Sequence, residues 1–222
     1  MEPEPEKPGF FNPWGDLKTG HNRLPHWQQD CATYFVTWRL ADSLPGHVLG
    51  EHFEERAAWE KQHPKPWDHE TEQAFHRRFS ARLDEWMDAG LGSCLLKETR
   101  NAVSVKETLL HFEGEKTFAL AFVIMPNHVH VLFSLKRGED LSRVVQAWKR
   151  HSAQEINRRE GRSGRLWQKD YFDRLVRDAR HCANCIRYIR RNPINAGLRP
   201  GSYVLFESEK ARLIESLGSA GD

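Results

Sequence analysis

The sequence predicts an α+β fold, a ferredoxin-like sandwich with a central antiparallel sheet and a helical insertion after the first strand. Strand-like runs rich in β-branched and aromatic residues alternate with segments of helical periodicity, in the order strand, helices, strand, strand, helix, strand, helix. Two of the strand-like runs are separated only by Pro126-Asn127, a link that favours an antiparallel hairpin.

The first half of the chain is predicted to hold one strand followed by helices. Residues 1–30 are rich in Pro, Gly, Asn and Trp without a regular period, which predicts an irregular arm whose first eight residues are disordered. Residues 32–40 have the composition of a strand, and residues 45–92 follow helical spacing, which predicts the helical insertion. Residues 98–112 predict a further short helix.

The second half is predicted to complete the sheet and cover it. Its elements are expected as a strand over 118–125, a strand over 128–135, a basic amphipathic helix over 141–157, a strand over 167–176 and a helix over 179–191. Pro193 is expected to end the last helix, because the residue before a proline disfavours α geometry. We therefore expect one principal domain over 31–205 and a C-terminal tail over 206–222.

The composition argues against a membrane protein and against a secreted one. Only 39% of residues are hydrophobic, mean hydropathy is −0.72, and no stretch approaches the roughly 18 apolar residues of a membrane helix. The N-terminus lacks the basic start and apolar centre of a secretory signal, so the protein is expected in the cytoplasm. Cys182 and Cys185 form the only Cys-x-x-Cys pair, and we expect reduced thiols rather than a zinc site.

Positive charge is concentrated in one part of the chain. Residues 141–200 hold 15 Lys and Arg against 5 Asp and Glu, a net +10, which leaves 18 against 26, a net −8, elsewhere. Four aromatic residues are interleaved with these charges, namely Trp148, Trp167, Tyr171 and Phe172. Such a segment suits a phosphate backbone with bases to stack on, so nucleic acid is the predicted partner.

A His-x-His pair lies in the strand that follows Pro126-Asn127. Successive side chains of a strand point to opposite faces, so His128 and His130 project together. Two imidazoles make half of a metal site, but they also occur as structural neighbours in sheets. A third ligand and a reacting group therefore have to be found elsewhere in the chain.

Tyr188 is the one tyrosine of the four with candidate chemistry beside it. Asn192 follows four residues later, on the same face of the predicted helix, and can offer an amide oxygen to a metal. Arg187, Arg190 and Arg191 surround this pair, and their charge is expected to favour the phenolate form of Tyr188.

Four blocks of residues stand in one order along the chain: 125–132 (MPNHVHVL), Trp167-Gln168, 173–178 (DRLVRD) and 188–198 (YIRRNPINAGL). Together they resemble the REP-associated branch of the single-tyrosine HUH transposases. The resemblance implies that His128 and His130 are the HUH metal ligands, that Asn192 is a further ligand and that Tyr188 is the nucleophile. The insertion over 45–92 is larger than in compact members, and its role is left open.

By this resemblance the chain is expected to cut and join single-stranded DNA through a 5′-phosphotyrosine, with Mg²⁺ or Mn²⁺ as cofactor. The expected substrate is repeat DNA that folds into hairpins. The protein is expected to be associated with the nucleoid, as a monomer or a homodimer. The basic residues expected to contact DNA are Lys149, Arg150, Arg158, Arg159, Arg162, Arg165, Arg187, Arg190 and Arg191. Two alternatives stay open, a catalytically silent repeat-DNA-binding protein and a metal-dependent nuclease that uses activated water.

Overall fold

The protein is described from a computed structural model that covers residues 9–21, 25–64 and 67–218. The disorder expected for residues 1–8 lies outside these described residues. In chain order the elements are β1 (Lys18–His21), β2 (Pro25–Gln28), β3 (Thr33–Arg39), α1 (Gly46–Gln62), α2 (His69–Phe75), a π-helical stretch (His76–Ser80), α3 (Ala81–Asp88), a 3-10 turn (Leu95–Lys97), α4 (Thr99–Leu110), β4 (Thr117–Ile124), β5 (His128–Leu135), α5 (Leu141–Arg159), β6 (Phe172–Leu175), α6 (Ala179–Asn195), β7 (Val204–Glu207) and α7 (Glu209–Gly218).

The main sheet is antiparallel, with its five strands in the spatial order β6-β3-β5-β4-β7. Its first strand, β3, lies between β5 and β6, and β4 lies on the far side of β5. This is the strand order of a ferredoxin-like fold, to which β7 adds a fifth strand at the β4 edge. The predicted α+β fold class is therefore confirmed, including the antiparallel pair formed by β4 and β5.

Helices cover both faces of the sheet. The alternation along β5 sends Val129, Val131 and Phe133 into the core beneath α4 and α5. Leu132, on the opposite face, lies in the core beneath α6 and α7. His128 and His130 share the face of Leu132, so the sheet directs both imidazoles toward α6.

Helix α6 continues through Pro193 to Asn195, so the predicted end of this helix before Pro193 is wrong. A proline removes one backbone donor, but it does so here within the last turn. Two hydrogen bonds close the end of the helix, from the Ala196 N–H to the Asn192 carbonyl at 3.0 Å and from the Leu198 N–H to the Pro193 carbonyl at 2.9 Å. Gly197, at φ 65°, allows the chain to leave in a left-handed turn.

Three other segments differ from the sequence prediction. The arm over 1–30 contains the β1–β2 hairpin, and the predicted strand over 167–176 is regular only in β6, beyond an isolated bridge between Leu40 and Trp167. The C-terminal segment forms β7 and α7, with Ala211 of α7 fully buried. Strand β7 spans the expected boundary at residue 205, and the domain limits stay a prediction.

The insertion over 45–92 is helical, as its periodicity predicts. An aromatic cluster of Trp59, Phe75 and Phe79 forms its own small core. The ring of Phe53 on α1 stacks on Phe172 of β6 with centroids 6.1 Å apart, which joins the insertion to the edge of the sheet. Across the described part of the chain, no helix is long and apolar enough to cross a membrane.

Candidate active site

The histidine pair on β5 is buried beneath α6. His128 and His130 are each 1% exposed, and their ring centroids are 4.7 Å apart. Within the described residues, neither Nε2 atom has a hydrogen-bond partner. Buried polar atoms almost always have a hydrogen-bond partner, so two unpaired ring nitrogens side by side indicate a site that binds a group from outside the protein.

Asn127 fixes the tautomer of His128. Its Nδ2 donates to the carbonyls of Met87 and Leu91 at 2.9 and 3.3 Å, so its Oδ1 must be the atom that faces His128. That oxygen lies 2.7 Å from His128 Nδ1. An amide oxygen only accepts, so Nδ1 carries the hydrogen and Nε2 carries the free lone pair.

Thr37 holds His130 in a similar way. The two residues are directly opposite each other in the register of β3 and β5, and Thr37 Oγ1 lies 2.7 Å from His130 Nδ1. This contact fixes the ring plane and leaves Nε2 as the unused nitrogen. The histidine pair is thus oriented by one partner on each ring.

Helix α6 brings Tyr188 and Asn192 over the pair. Asn192 is 3% exposed, and its Nδ2 donates to the Tyr188 hydroxyl at 3.4 Å. The Tyr188 ring meets His130 edge to face, with centroids 5.2 Å apart, and meets Phe35 in the same manner at 5.6 Å. Four residues that lie up to 64 positions apart in the chain therefore form one cluster, as the sequence predicts.

Three buried polar atoms in this cluster form no hydrogen bond of regular geometry within the described residues. They are His128 Nε2, His130 Nε2 and Asn192 Oδ1, and the Asn192 side chain lies close enough to His128 to raise the pKa of that ring. Leaving such atoms unpaired is costly, whereas a divalent cation would satisfy all three at once. The described residues contain no group of three His, Cys, Asp or Glu side chains that could hold a metal ion, and the third member of the set here is an amide. Two imidazoles and an amide oxygen fit a metal site that keeps positions open for substrate oxygens.

Burial keeps both histidines neutral. It lowers the pKa of His128 to about 3, with the Asn192 side chain acting to raise that pKa and Arg39 acting to lower it. Burial also lowers the pKa of His130 well below its usual 6.5, and the neighbouring His128 lowers it further. Both rings thus offer lone pairs at neutral pH, the form in which imidazole binds metals.

A cavity of about 480 Å³ opens beside Tyr188 and His130. Its far wall comes from the insertion, through residues such as Phe79 and Leu83, and Phe172 and Arg174 of β6 also line it. This volume lies within the roughly 300–1,000 Å³ of ligand pockets. The insertion therefore forms part of the candidate active site.

The structure places the nine predicted DNA contacts in different surroundings. Six are exposed: Arg150, Arg158, Arg159, Arg162, Arg165 and Arg191. Lys149 and Arg187 are half-buried. Arg190 forms paired hydrogen bonds to Glu207 at 2.7 and 3.0 Å and to Glu215 at 3.0 and 2.6 Å, so its charge is balanced by two carboxylates rather than directed at Tyr188.

The aromatic residues of the basic segment do not form the expected stacking surface. Trp148, Trp167 and Tyr171 are 2%, 3% and 5% exposed and belong to the core beneath α5. The expectation that they stack on bases is wrong, because the apolar surface of the sheet buries them. Phe172 alone is half-buried and reaches the cavity.

Residues 97–192 match the family model described as "Transposase IS200 like". The match covers less than half of the chain. The matched segment includes both histidines, Tyr188 and Asn192. The resemblance to transposases that the sequence blocks predict is thereby supported over this segment.

The chain is also similar to individual proteins. It is 29% identical over 112 residues to a Haemophilus influenzae protein that carries the name of a REP-associated tyrosine transposase. This alignment covers 46% of this chain and 61% of that relative. The match thus spans less than two thirds of the relative's length. A solved structure of a REP-associated tyrosine transposase bound to a REP hairpin covers 78% of this chain and 73% of its own, with 14% identity and a TM-score of 0.44.

Sequence reasoning missed the residues that orient the candidate metal ligands. The sequence presents Asn127 only as part of a turn, although an amide next to a candidate ligand histidine can serve as the hydrogen-bond partner of that ring. Thr37 carries no signal in the sequence, because its contact with His130 depends on the register of two strands that are distant in the chain.

Proposed function

We propose that the chain is a metal-dependent endonuclease and strand transferase that acts on single-stranded, hairpin-forming repeat DNA through Tyr188. The observation that carries this proposal is the group of two imidazole nitrogens and one amide oxygen that are buried without regular hydrogen bonds, beside a phenol that lines a cavity. A purely structural role for the histidines would not explain why these three buried atoms lack regular hydrogen bonds.

His128 Nε2, His130 Nε2 and Asn192 Oδ1 would hold a Mg²⁺ or Mn²⁺ ion. Such an ion, when bound, supplies Lewis-acid stabilisation of the charge on the cleaved phosphate. Asn127 and Thr37 keep the two rings in the orientation that binding requires. The two rings need no deprotonation at neutral pH, because burial already keeps them neutral.

Tyr188 would act as the nucleophile. Its oxygen forms a bond to phosphorus, the bond from phosphorus to the 3′-oxygen breaks, and the phenol proton ends on the released 3′-hydroxyl. The Asn192 amide and the rings of Phe35 and His130 hold the phenol in place for this attack. The phosphotyrosine conserves the bond energy, so a second 3′-hydroxyl can reverse the step and join strands.

The DNA would lie across the basic segment, with the six exposed arginines as contacts to the backbone. We assign repeat hairpins as the substrate because of the four sequence blocks and the name of the Haemophilus influenzae relative. Arg190 is the weakest of the nine candidate contacts, since Glu207 and Glu215 occupy its donors.

The test is a denaturing gel of the full chain incubated with Mn²⁺ and labelled single-stranded repeat DNA. We expect a covalent protein–DNA adduct that disappears in Tyr188→Phe, while DNA binding is nearly unchanged. Tyr203→Phe is the matched control, because Tyr203 is also half-buried and packs against the same core beneath α6.

Each outcome of this gel has one meaning. An undiminished adduct in Tyr188→Phe contradicts the nucleophile assignment. Cleaved DNA that is free of protein supports the nuclease that uses activated water, and uncleaved but bound DNA supports the silent binding protein.

A further inference from the structure

Arg39 is a buried cation that forms no ion pair with the residues that the structure describes. It lies at the end of β3, directly opposite His128 in the register, and is 4% exposed. Its Nε has no hydrogen-bond partner within the described chain, and the face of the Phe172 ring lies 5.9 Å from its guanidinium carbon. Asp170 is the carboxylate that acts on it, but burial has the larger effect and lowers the pKa of Arg39 to about 10. A buried guanidinium in this state is costly unless an anion arrives to pair with it.

The side chain of Arg39 lines a second cavity, of about 310 Å³. Arg165, Lys169 and Asp170 line the same cavity, so three cationic side chains face it with one carboxylate. The start of α1 forms another part of the wall, where Gly46 and Gly50 add no side chain. The first turn of α1 has no side-chain cap and no acidic residue, so its backbone N–H groups are not used by a carboxylate of the helix.

Lys149 holds the other side of the cavity in place. Its Nζ donates to the carbonyls of Lys169 and Asp170 at 2.9 and 3.3 Å, although Lys149 itself lies on α5. Burial lowers its pKa to about 8; Asp170 opposes this, and Arg165 and Arg39 lower the pKa further. The three cations therefore repel one another around a single carboxylate, and an anion between them would relieve that repulsion.

We propose that this second cavity is a subsite for a backbone phosphodiester of the single strand, bound by Arg39 and Arg165 beside the metal-ligand set. The inference rests on the proposed function, since it names a contact of the same DNA. Neighbouring strands lie about 5 Å apart, so a phosphate bound by Arg39 would lie close to the candidate metal ligand His128. An arginine suits this task because its planar donors match two phosphate oxygens.

The subsite is tested by binding rather than by cleavage. A short labelled oligothymidylate is titrated into the Tyr188→Phe chain without added metal, over a range of salt concentrations. Each phosphate contact to a single strand contributes about 0.7 to the slope of log affinity against log salt concentration. We expect Arg39→Gln to lower that slope by about this amount and to weaken binding by about tenfold at low salt. Arg143→Gln, which removes an exposed arginine of α5 outside both cavities, is expected to leave the slope unchanged.

A second variant separates one shared phosphate from two independent contacts. Arg165 is exposed, so Arg165→Gln carries little risk to folding and gives a test even if Arg39→Gln is unstable. If both arginines bind the same phosphate, the double variant loses no more slope than either single variant. Losses that add, or slopes unchanged in both single variants, would overturn the proposal.

The two proposals fail in different ways. Normal binding with unchanged slopes refutes the subsite and leaves the Tyr188 adduct as a separate measurement. Absence of any DNA binding by the unsubstituted chain refutes the proposed function itself. A lower melting temperature of Arg39→Gln with an unchanged slope would show that Arg39 serves only to pack on Phe172.

Discussion

Thr33 and Thr37 occupy equivalent positions on β3, but only one of them touches the candidate metal ligands. Both are buried, at 0% and 7% exposure, and both point to the face beneath α6. Thr33 Oγ1 meets Ser134 Oγ at 2.9 Å, whereas Thr37 Oγ1 meets His130 Nδ1 at 2.7 Å. The two hydroxyls therefore make similar contributions to the sheet and different contributions to the site.

We predict that Thr37→Val weakens Mn²⁺ binding about 10–100-fold, because loss of the partner of a ligand histidine frees its ring. Isothermal titration of Mn²⁺ into the chain without DNA measures this directly. Thr33→Val is the control and should cost similar stability while leaving Mn²⁺ affinity unchanged. Equal Mn²⁺ affinity in the two variants would contradict the role of Thr37.

At the scale of elements, the helices of the insertion pack on one another around a buried histidine. His52 of α1 is 2% exposed, and its ring meets Phe79 and Trp86 with centroids 5.8 and 5.5 Å away. Its Nδ1 has no partner in the described residues. This histidine is therefore packed as an aromatic ring and is ill suited to carry a proton.

Acid should loosen the insertion through His52. Burial, and then Arg56, Arg82 and Arg39, lower its pKa from 6.5 to about 4, with Glu55 opposing them. Between these two values the unfolded chain binds a proton that the folded chain does not, so stability falls as pH falls. We predict that His52→Phe removes on the order of 1–2 kcal/mol of the stability lost between pH 7 and pH 5. Urea unfolding of both chains at the two pH values measures it, and an identical loss in both would contradict the prediction.

Elements with a strong period could be predicted from the sequence, and contacts that join distant elements could not. Strand β5 and helix α5 follow their predicted limits closely because alternation and helical spacing are local. The end of α6 was misplaced, because a local proline rule was overridden by the hydrogen bonds of Ala196 and Leu198. Residue spacing and the family resemblance were enough to assign four residues to one candidate site, namely His128, His130, Tyr188 and Asn192. The roles of Thr37, Asn127 and Arg39 could not, since they depend on strand register and on the path of the insertion.

At the scale of the whole molecule, the C-terminal segment completes the sheet and supports α6. Strand β7 pairs with the outer edge of β4, and Ala211 of α7 is buried against the core beneath α6. Arg190 of α6 bonds to Glu207 of β7 and Glu215 of α7. The helix that carries Tyr188 and Asn192 is therefore held in part by residues beyond the expected domain limit.

We predict that a chain ending at Ser202 melts at least about 5 °C lower than the full chain, because it exposes the β4 edge and an apolar face of α6. Thermal unfolding followed by circular dichroism gives the comparison. A chain ending at Gly218 keeps β7 and α7 and should melt like the full chain. Unchanged melting of the shorter chain would instead support a domain that ends near residue 205.

The hydrogen bond from Asn127 to the Met87 carbonyl has a consequence for engineering. It makes the insertion a structural partner of His128 rather than a detachable module. A chimera that exchanged this segment with the shorter connection of a compact relative would have to supply a carbonyl at the same place. Without that carbonyl, the Asn127 amide would be free to rotate, and the His128 ring of the chimera would lose its fixed orientation.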